Sequence, residues 1–245
     1  MSDGIPLDLV VFIVAAFCGA FVAGVAGFAF GLVASAIWLH VITPAQSAPL
    51  IAAFAIIIQG TTLWKLRHAI PKARVLRFVI ASAIGIPLGS LALAWATPAQ
   101  MRVLIGLLLI LFSLYSLARP SLPAVGDGRF REALVGVASG LFAGSTGLAG
   151  IPVILWSALR RWSKDEQRAV FQPVAVSTFA LTLLWFAGTG GVTESTIRLF
   201  LAGLPAVLLG TWLGFRLYGM LNEAIFRVIV LALLLLSGLA LLPWR

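Results

Sequence analysis

A chain of 245 residues that is 61% hydrophobic and 10% charged, with a mean hydropathy of +1.10, is too apolar for a soluble domain. Its net charge of +9 is spread over short loops and forms no basic face or stripe of the kind that grips nucleic acid. The single cysteine, Cys18, excludes an internal disulfide and a thiol-based metal site.

The N-terminal stretch has no Lys or Arg before the first apolar run. It lacks the basic region of a cleavable signal peptide, so the first segment is expected to be retained. Apolar segments follow at roughly 7–39, 47–66, 75–97, 101–118, 132–159, 169–188, 196–216 and 224–242. A spanning helix needs about 20 apolar residues. Most segments fit, and the first and fifth are longer. Both long segments are rich in glycine. The first holds Gly19, Gly24, Gly27 and Gly31; the fifth holds Gly140, Gly144, Gly147 and Gly150, with Ser145, Thr146 and Pro152 among them. Glycine and proline interrupt helices, and in lipid each freed backbone group must find a partner in protein or in a water-filled cavity. Turn residues separate the segments, at Thr43-Pro44, Ile70-Pro71, Thr97-Pro98, 119–128 and 188–191. Trp38, Trp64, Trp95, Trp162, Trp185 and Trp244 fall near segment ends, as an interfacial aromatic belt would place them.

The segments repeat. Gly19 and Gly140 are 121 residues apart (140 − 19), and the same offset pairs Phe21 with Phe142, Gln46 with Gln167 and Thr61 with Thr182. It also pairs Trp64 with Trp185, Arg77 with Arg198 and Gly89 with Gly210. The reading is two homologous halves, 1–120 and 132–245, joined by a linker at 121–131. Such repeats are a common plan of secondary transporters. The charges address topology. With eight simple crossings, Arg160, Arg161, Lys164 and Arg168 lie on the opposite side from the basic loop 65–77. If the two long segments fold back as hairpins, only Arg102, Arg198 and Arg245 of the 17 Lys and Arg lie outside. The positive-inside rule favours the second arrangement. It makes the halves inverted and leaves hairpin limbs near 14 residues in the second half, under the ~20 needed to span, so re-entrant or tilted.

At Gly140–Val153 the sequence resembles the glycine-rich signature of the TauE/SafE (sulfite exporter, TSUP) family of membrane transport proteins. Gly140, Gly144, Gly147, Gly150 and Pro152 carry the likeness; the first-half copy keeps Gly24, Gly27 and Gly31 but lacks a following proline. The resemblance implies transport of a small sulfur-containing anion, such as sulfite or an organosulfonate.

An anion inside a membrane needs donors, and half-helix N-termini provide free N–H groups and a partial positive charge. A break at Gly144–Gly150 is expected to present the N–H groups of Ser145, Thr146 and Gly147, beside two hydroxyls, with Gly24, Gly27 and Gly31 doing the same from the other half. The alternative is that these glycines only let helices pack closely. Gln46 and Gln167 begin their segments, each as an anion donor, a gate latch or a helix cap. Gln172 precedes Pro173, with Ser177 and Thr178 about a turn beyond; Gln59, Thr61 and Thr62 lie deep in the second segment. Such buried polar groups line a path or bond across helices. Phe28, Phe30, Phe171 and Phe179 are gate residues or plain packing. Arg77 and Arg198 read as interfacial anchors or as entry charges for anions; His40 and His68 read as interfacial.

No nucleotide-binding, metalloprotease or paired-carboxylate pattern occurs, so no enzyme activity, cofactor or metal is expected. The sequence therefore points to an all-α polytopic membrane protein of two halves, each of about four to five transmembrane segments, inverted and with broken first segments. Its expected function is secondary transport of a small anion across the cytoplasmic membrane by alternating access, at a site where the two breaks meet. A non-transporting scaffold and an intramembrane enzyme are the other readings. The expected partners are the anion and the lipid bilayer, with no nucleic acid; a homodimer is left open.

Overall fold

The computed structural model describes residues 6–27, 29–66, 70–118, 126, 128–217, 220 and 223–243, without the side chains of 61–66, 164, 165 and 223–227. Phe28, His68, most of the linker and Trp244 lie outside the described residues, as do the side chains of Thr61, Thr62 and Trp64. Among the described residues the chain is all helix: α1 (Leu7–Ala26), α2 (Phe30–Trp38), α3 (Pro44–Leu66), α4 (Lys72–Trp95), α5 (Pro98–Ala118), α6 (Arg129–Thr146), α7 (Gly150–Leu159), α8 (Lys164–Gly188), α9 (Glu194–Leu217) and α10 (Glu223–Ala240). Helices α1, α4, α5, α8 and α9 contain stretches long and apolar enough to cross a membrane.

The helices gather in two compact units, and neither is a sequence half. One comprises residues 1–47, 97–119 and 193–245, and the other 48–96 and 120–192. Unit 1 therefore combines α1, α2 and α5 with α9 and α10. Unit 2 combines most of α3 and all of α4 with α6, α7 and α8.

Small residues explain the main pairing in each unit. In unit 2, Gly136, Gly140 and Gly144 of α6 lie over the carbonyls of Phe78, Ser82 and Ile86 of α4, and none has room for a Cβ. Gly85 and Gly89 of α4 in turn lie over Val137 and Leu141. In unit 1, a Cβ on Gly24 of α1 would meet the Thr211 carbonyl at 2.9 Å, and one on Gly210 of α9 would meet the Phe17 carbonyl at 2.5 Å. These contacts advance together along both helices, so α1 runs parallel to α9 and α6 parallel to α4. With no water to expel between helices in lipid, backbone approach of this kind is what makes the pairing favourable. Gly106 of α5 and Gly238 of α10 face each other's carbonyls in the same way, at 2.9 and 2.8 Å from the added Cβ.

The two units repeat one pattern. The carbonyls of Phe17 and Phe21 meet Gly210 and Gly214, as those of Val137 and Leu141 meet Gly85 and Gly89. The α1/α6 register is thus 120 residues (137 − 17), and the α4/α9 register is 125 (210 − 85). The uniform 121 of the sequence is a compromise between them.

Both long first segments break and turn back. The Trp38 indole at the end of α2 stacks on Phe12 near the start of α1, with centroids 4.7 Å apart, and donates to the Phe12 carbonyl at 3.0 Å. Trp38 is fully buried, which removes it from the expected aromatic belt: the fold-back encloses it. In unit 2, Trp162 beyond α7 lies under the guanidinium of Arg74, which pairs with Glu132 in the first turn of α6. The limbs are 18 and 10 residues, not two of about 14, because the turn falls at Gly147.

Candidate functional site

The break in unit 2 is set by glycine. Gly147 ends α6 at φ +76, a left-handed conformation that costs an L-residue about 1–2 kcal/mol. Its N–H donates to the Ala143 carbonyl at 3.0 Å. The Ser145 and Thr146 hydroxyls bond to the Leu141 and Phe142 carbonyls at 2.7 and 2.8 Å. These residues therefore form the C-terminal end of α6, and the expected N–H cradle at Ser145–Gly147 is not what the break presents. The donor end belongs to α7, which starts at Gly150 with no side-chain cap. Ser139 ties that start back to α6 by donating to the Ala149 carbonyl at 2.5 Å. Gly150 lies against the Phe171 ring, 2.9 Å from an added Cβ. The next residue, Gln172, is 2% exposed, and its amide oxygen has no hydrogen-bond partner. Burying an amide oxygen without a partner costs about 1–3 kcal/mol.

The break in unit 1 is similar. Gly27 ends α1 at φ +81, and Ala29 before α2 adopts φ +80. A left-handed alanine is strained, and strain of this kind concentrates at functional sites. Gly31 lies in the first turn of α2, another helix start without a side-chain cap. Gly27 and Gly147 stand 120 residues apart (147 − 27), and both end the longer limb of a hairpin.

The sequence matches the family described as sulfite exporter TauE/SafE over residues 11–241. The chain belongs to the TauE/SafE family. No curated protein and no solved structure matches it. As a TauE/SafE protein with an all-helical fold and five candidate spans, it is a multi-pass membrane protein of a transporter family.

The other expected residues of this TauE/SafE protein divide. Gln46 is part of a cap: its oxygen accepts from the Thr43 N–H and hydroxyl, both at 3.1 Å, and its amide donates to Ser195 at 3.1 Å. The Gln46 N–H donates back to the Thr43 hydroxyl at 3.3 Å, and Ser163 caps α8 with the same bond, accepting from the Glu166 N–H at 3.2 Å. Thr43-x-x-Gln46 and Ser163-x-x-Glu166 are both capping-box sequences, so Glu166, not Gln167, is the counterpart of Gln46. Thr178 is fully buried and donates to Ser82 at 3.1 Å, across α8 and α4; Ser177 is half-buried beside it. Gln59 is 9% exposed, with its amide oxygen unpartnered. Gly24 and Gly144 are crossing glycines, whereas Gly27, Gly147 and Gly150 belong to the breaks. Phe30, Phe171 and Phe179 are buried packing residues. Sequence reading missed Ser82, Ser139 and Glu132. Ser82 and Ser139 carry no spacing signal; Glu132 could have been found as a lone carboxylate beside a run of arginines.

Arg77 has a partner more specific than a headgroup. It pairs with Glu132 at 2.8 Å, and Arg74 bridges Glu132 and Glu166, both at 3.1 Å. The Glu132 side chain is only 3% exposed. This network holds the starts of α4, α6 and α8 at one end of unit 2. Arg198 instead forms an exposed pair with Glu194.

Proposed function

We propose that this chain is a secondary transporter of a small sulfur-containing anion, such as sulfite or an organosulfonate, working by alternating access across the cytoplasmic membrane. Membership of the TauE/SafE family supports the substrate class. The observation that carries the reading is the pair of matched breaks, at Gly27 and at Gly147, each ending one helix in a left-handed turn and opening a short helix that runs back. Inverted repeats with discontinuous helices are how many secondary transporters build an anion site.

In this reading the starts of α7 and α2 provide the donors, through the N–H of Gly150, since Pro152 has none and that of Ile151 bonds to the Leu148 carbonyl at 3.4 Å, and through the N–H groups after Ala29. The amide of Gln172 adds a side-chain donor to the anion, and its oxygen takes a water or the proton of a hydrogen-carrying anion. Gln59 has the same chemistry on α3. Ser145, Thr146, Thr178 and Gln46 shape and hold the elements that carry these groups. The halves 1–120 and 132–245 are the inverted repeats, and the arginine-rich ends of α4, α6 and α8 face the cytoplasm.

The test is counterflow in proteoliposomes with labelled sulfite and labelled organosulfonates. Saturable exchange of at least one of them supports the reading. Folded protein that exchanges none sinks it.

A further inference from the structure

We propose that the arginine-rich end of unit 2 is a binding site for the phosphate headgroups of anionic membrane lipids. The starts of three parallel helices meet there. Helix α4 brings Lys72, Arg74 and Arg77; α6 brings Arg129 and Arg131; the turn from α7 into α8 adds further arginines at 160, 161 and 168. The Arg74–Glu132, Arg77–Glu132 and Arg74–Glu166 pairs, with Trp162 under Arg74, put these segments in one place. By sequence the carboxylates of the stretches 72–77, 127–132 and 160–168 are Asp127, Glu132, Asp165 and Glu166, and the basic residues, with Lys164 among them, outnumber these whatever each one is paired with.

The charge is not there for helix stability. Cations in the first turn oppose the helix dipole, at a cost of about 0.3–1 kcal/mol each. Both α4 and α6 carry them in that turn, and neither start has a side-chain cap. An anion seated there interacts favourably both with these cations and with the helix N-termini, and so offsets that cost.

The surroundings match a lipid better than a free ion. Arg129 and Arg131 are exposed and flank Phe130, which is 74% exposed. An aromatic ring between two arginines suits the boundary between headgroups and acyl chains. Below it, Leu76, Ile80 and Ile84 on α4 and Leu134 on α6 are all more than half exposed, a surface for acyl chains next to a surface for phosphate. The start of α9 in unit 1 has no comparable surplus, since Arg198 is answered by Glu194 four residues before it.

The experiment measures lipid retained by the full chain after extraction from vesicles of phosphatidylcholine containing phosphatidylglycerol. Each arginine near a membrane surface contributes about 1 kcal/mol, so the doubly substituted Arg129→Gln/Arg131→Gln chain is expected to bind phosphatidylglycerol more weakly by about thirtyfold. Phe130→Ala is expected to weaken binding less, and Arg198→Gln not at all. Equal retention by the double variant and the parent overturns the proposal. So does an equal loss in Arg198→Gln, which would mean a diffuse charge effect. Inorganic phosphate and glycerol phosphate are added to the extracted protein as soluble anions. If either raises thermal stability as much as phosphatidylglycerol does, the site is for a free anion and the lipid assignment fails. Should the double variant fold poorly, Lys72→Gln provides an independent reading at the exposed edge of the same site.

Discussion

Gly140 lies directly over the carbonyl oxygen of Ser82, and the Ser82 hydroxyl accepts a hydrogen bond from Thr178 at 3.1 Å. One residue of α4 is thus gripped by α6 through a missing side chain and by α8 through a polar one. Gly140→Ala forces the α4–α6 pair apart. Overpacking of this kind costs about 1–3 kcal/mol. Gly60 in α3 is the contrast, because nothing lies within 4 Å of an added Cβ. Gly60→Ala is expected to leave stability unchanged or raise it by up to about 1 kcal/mol. Thermal unfolding in detergent, followed by circular dichroism, separates the two.

The breaks respond to backbone conformation. Gly27→Ala meets only the left-handed penalty, since its Cβ has open space; Gly147→Ala also meets the Ala48 carbonyl at 3.0 Å. Gly147→Ala is therefore expected to be the more damaging. Ala29→Gly runs the other way, relieving a left-handed alanine, and should stabilise by about 1 kcal/mol. Chemical denaturation of the three variants gives the order directly, and a destabilising Ala29→Gly would contradict this account of the turn.

Gln172 separates stability from transport. Gln172→Leu removes a buried amide whose oxygen has no partner, so stability should hold or rise, by no more than about 1–3 kcal/mol. Anion exchange in proteoliposomes should fall tenfold or more, with Gln172→Asn keeping part of it. A Gln172→Leu chain that is fully active removes this residue from the site.

Glu132 is a keystone for the starts of α4 and α6. Glu132→Gln leaves Arg74 and Arg77 without their shared carboxylate. Removing one partner of a buried ion pair costs about 3–5 kcal/mol, and the partial exposure of both arginines brings the expected loss toward the lower end. Glu194→Gln breaks an exposed pair on α9 and should cost under about 1 kcal/mol. A double-mutant cycle of Glu132 with Arg77 measures the coupling.

Cysteine labelling tests the fold-back. Cysteines placed at Lys72, Arg129 and Arg161 in a Cys18→Ser chain should all react from the same side of the membrane. Labelling of Arg161→Cys from the opposite side to Lys72→Cys would contradict the hairpin at Gly147.

The family, the helices and the two breaks were legible because glycine, proline and unbroken apolar length are local signals. The role of the Gly144–Gly147 run was half legible. Its glycines mark a turn, but spacing cannot tell the C-terminal end of one helix from the N-terminal end of the next, so Ser145 and Thr146 were read as donors when their hydroxyls are spent on carbonyls four residues back. Gln46 and Gln167 matched by letter, while the structure matches Gln46 with Glu166, because the capping box sets the register. Partners across units of sequence, such as Ser82 for Thr178 and Glu132 for Arg77, leave no trace in a single chain.

The pairing of α1 with α9 has a consequence for biosynthesis. Helix α1 ends at Ala26 and α9 begins at Glu194, 168 residues later (194 − 26). At about 5–20 residues per second, α1 waits on the order of ten to thirty seconds before the helix its glycine fits has been made. During that time Gly24 faces lipid or a temporary companion. Neither half, expressed alone, can make the α1–α9 or α4–α6 contact. Only a chain, or a pair of chains, that holds both α1 with α9 and α4 with α6 contains the partners for these contacts.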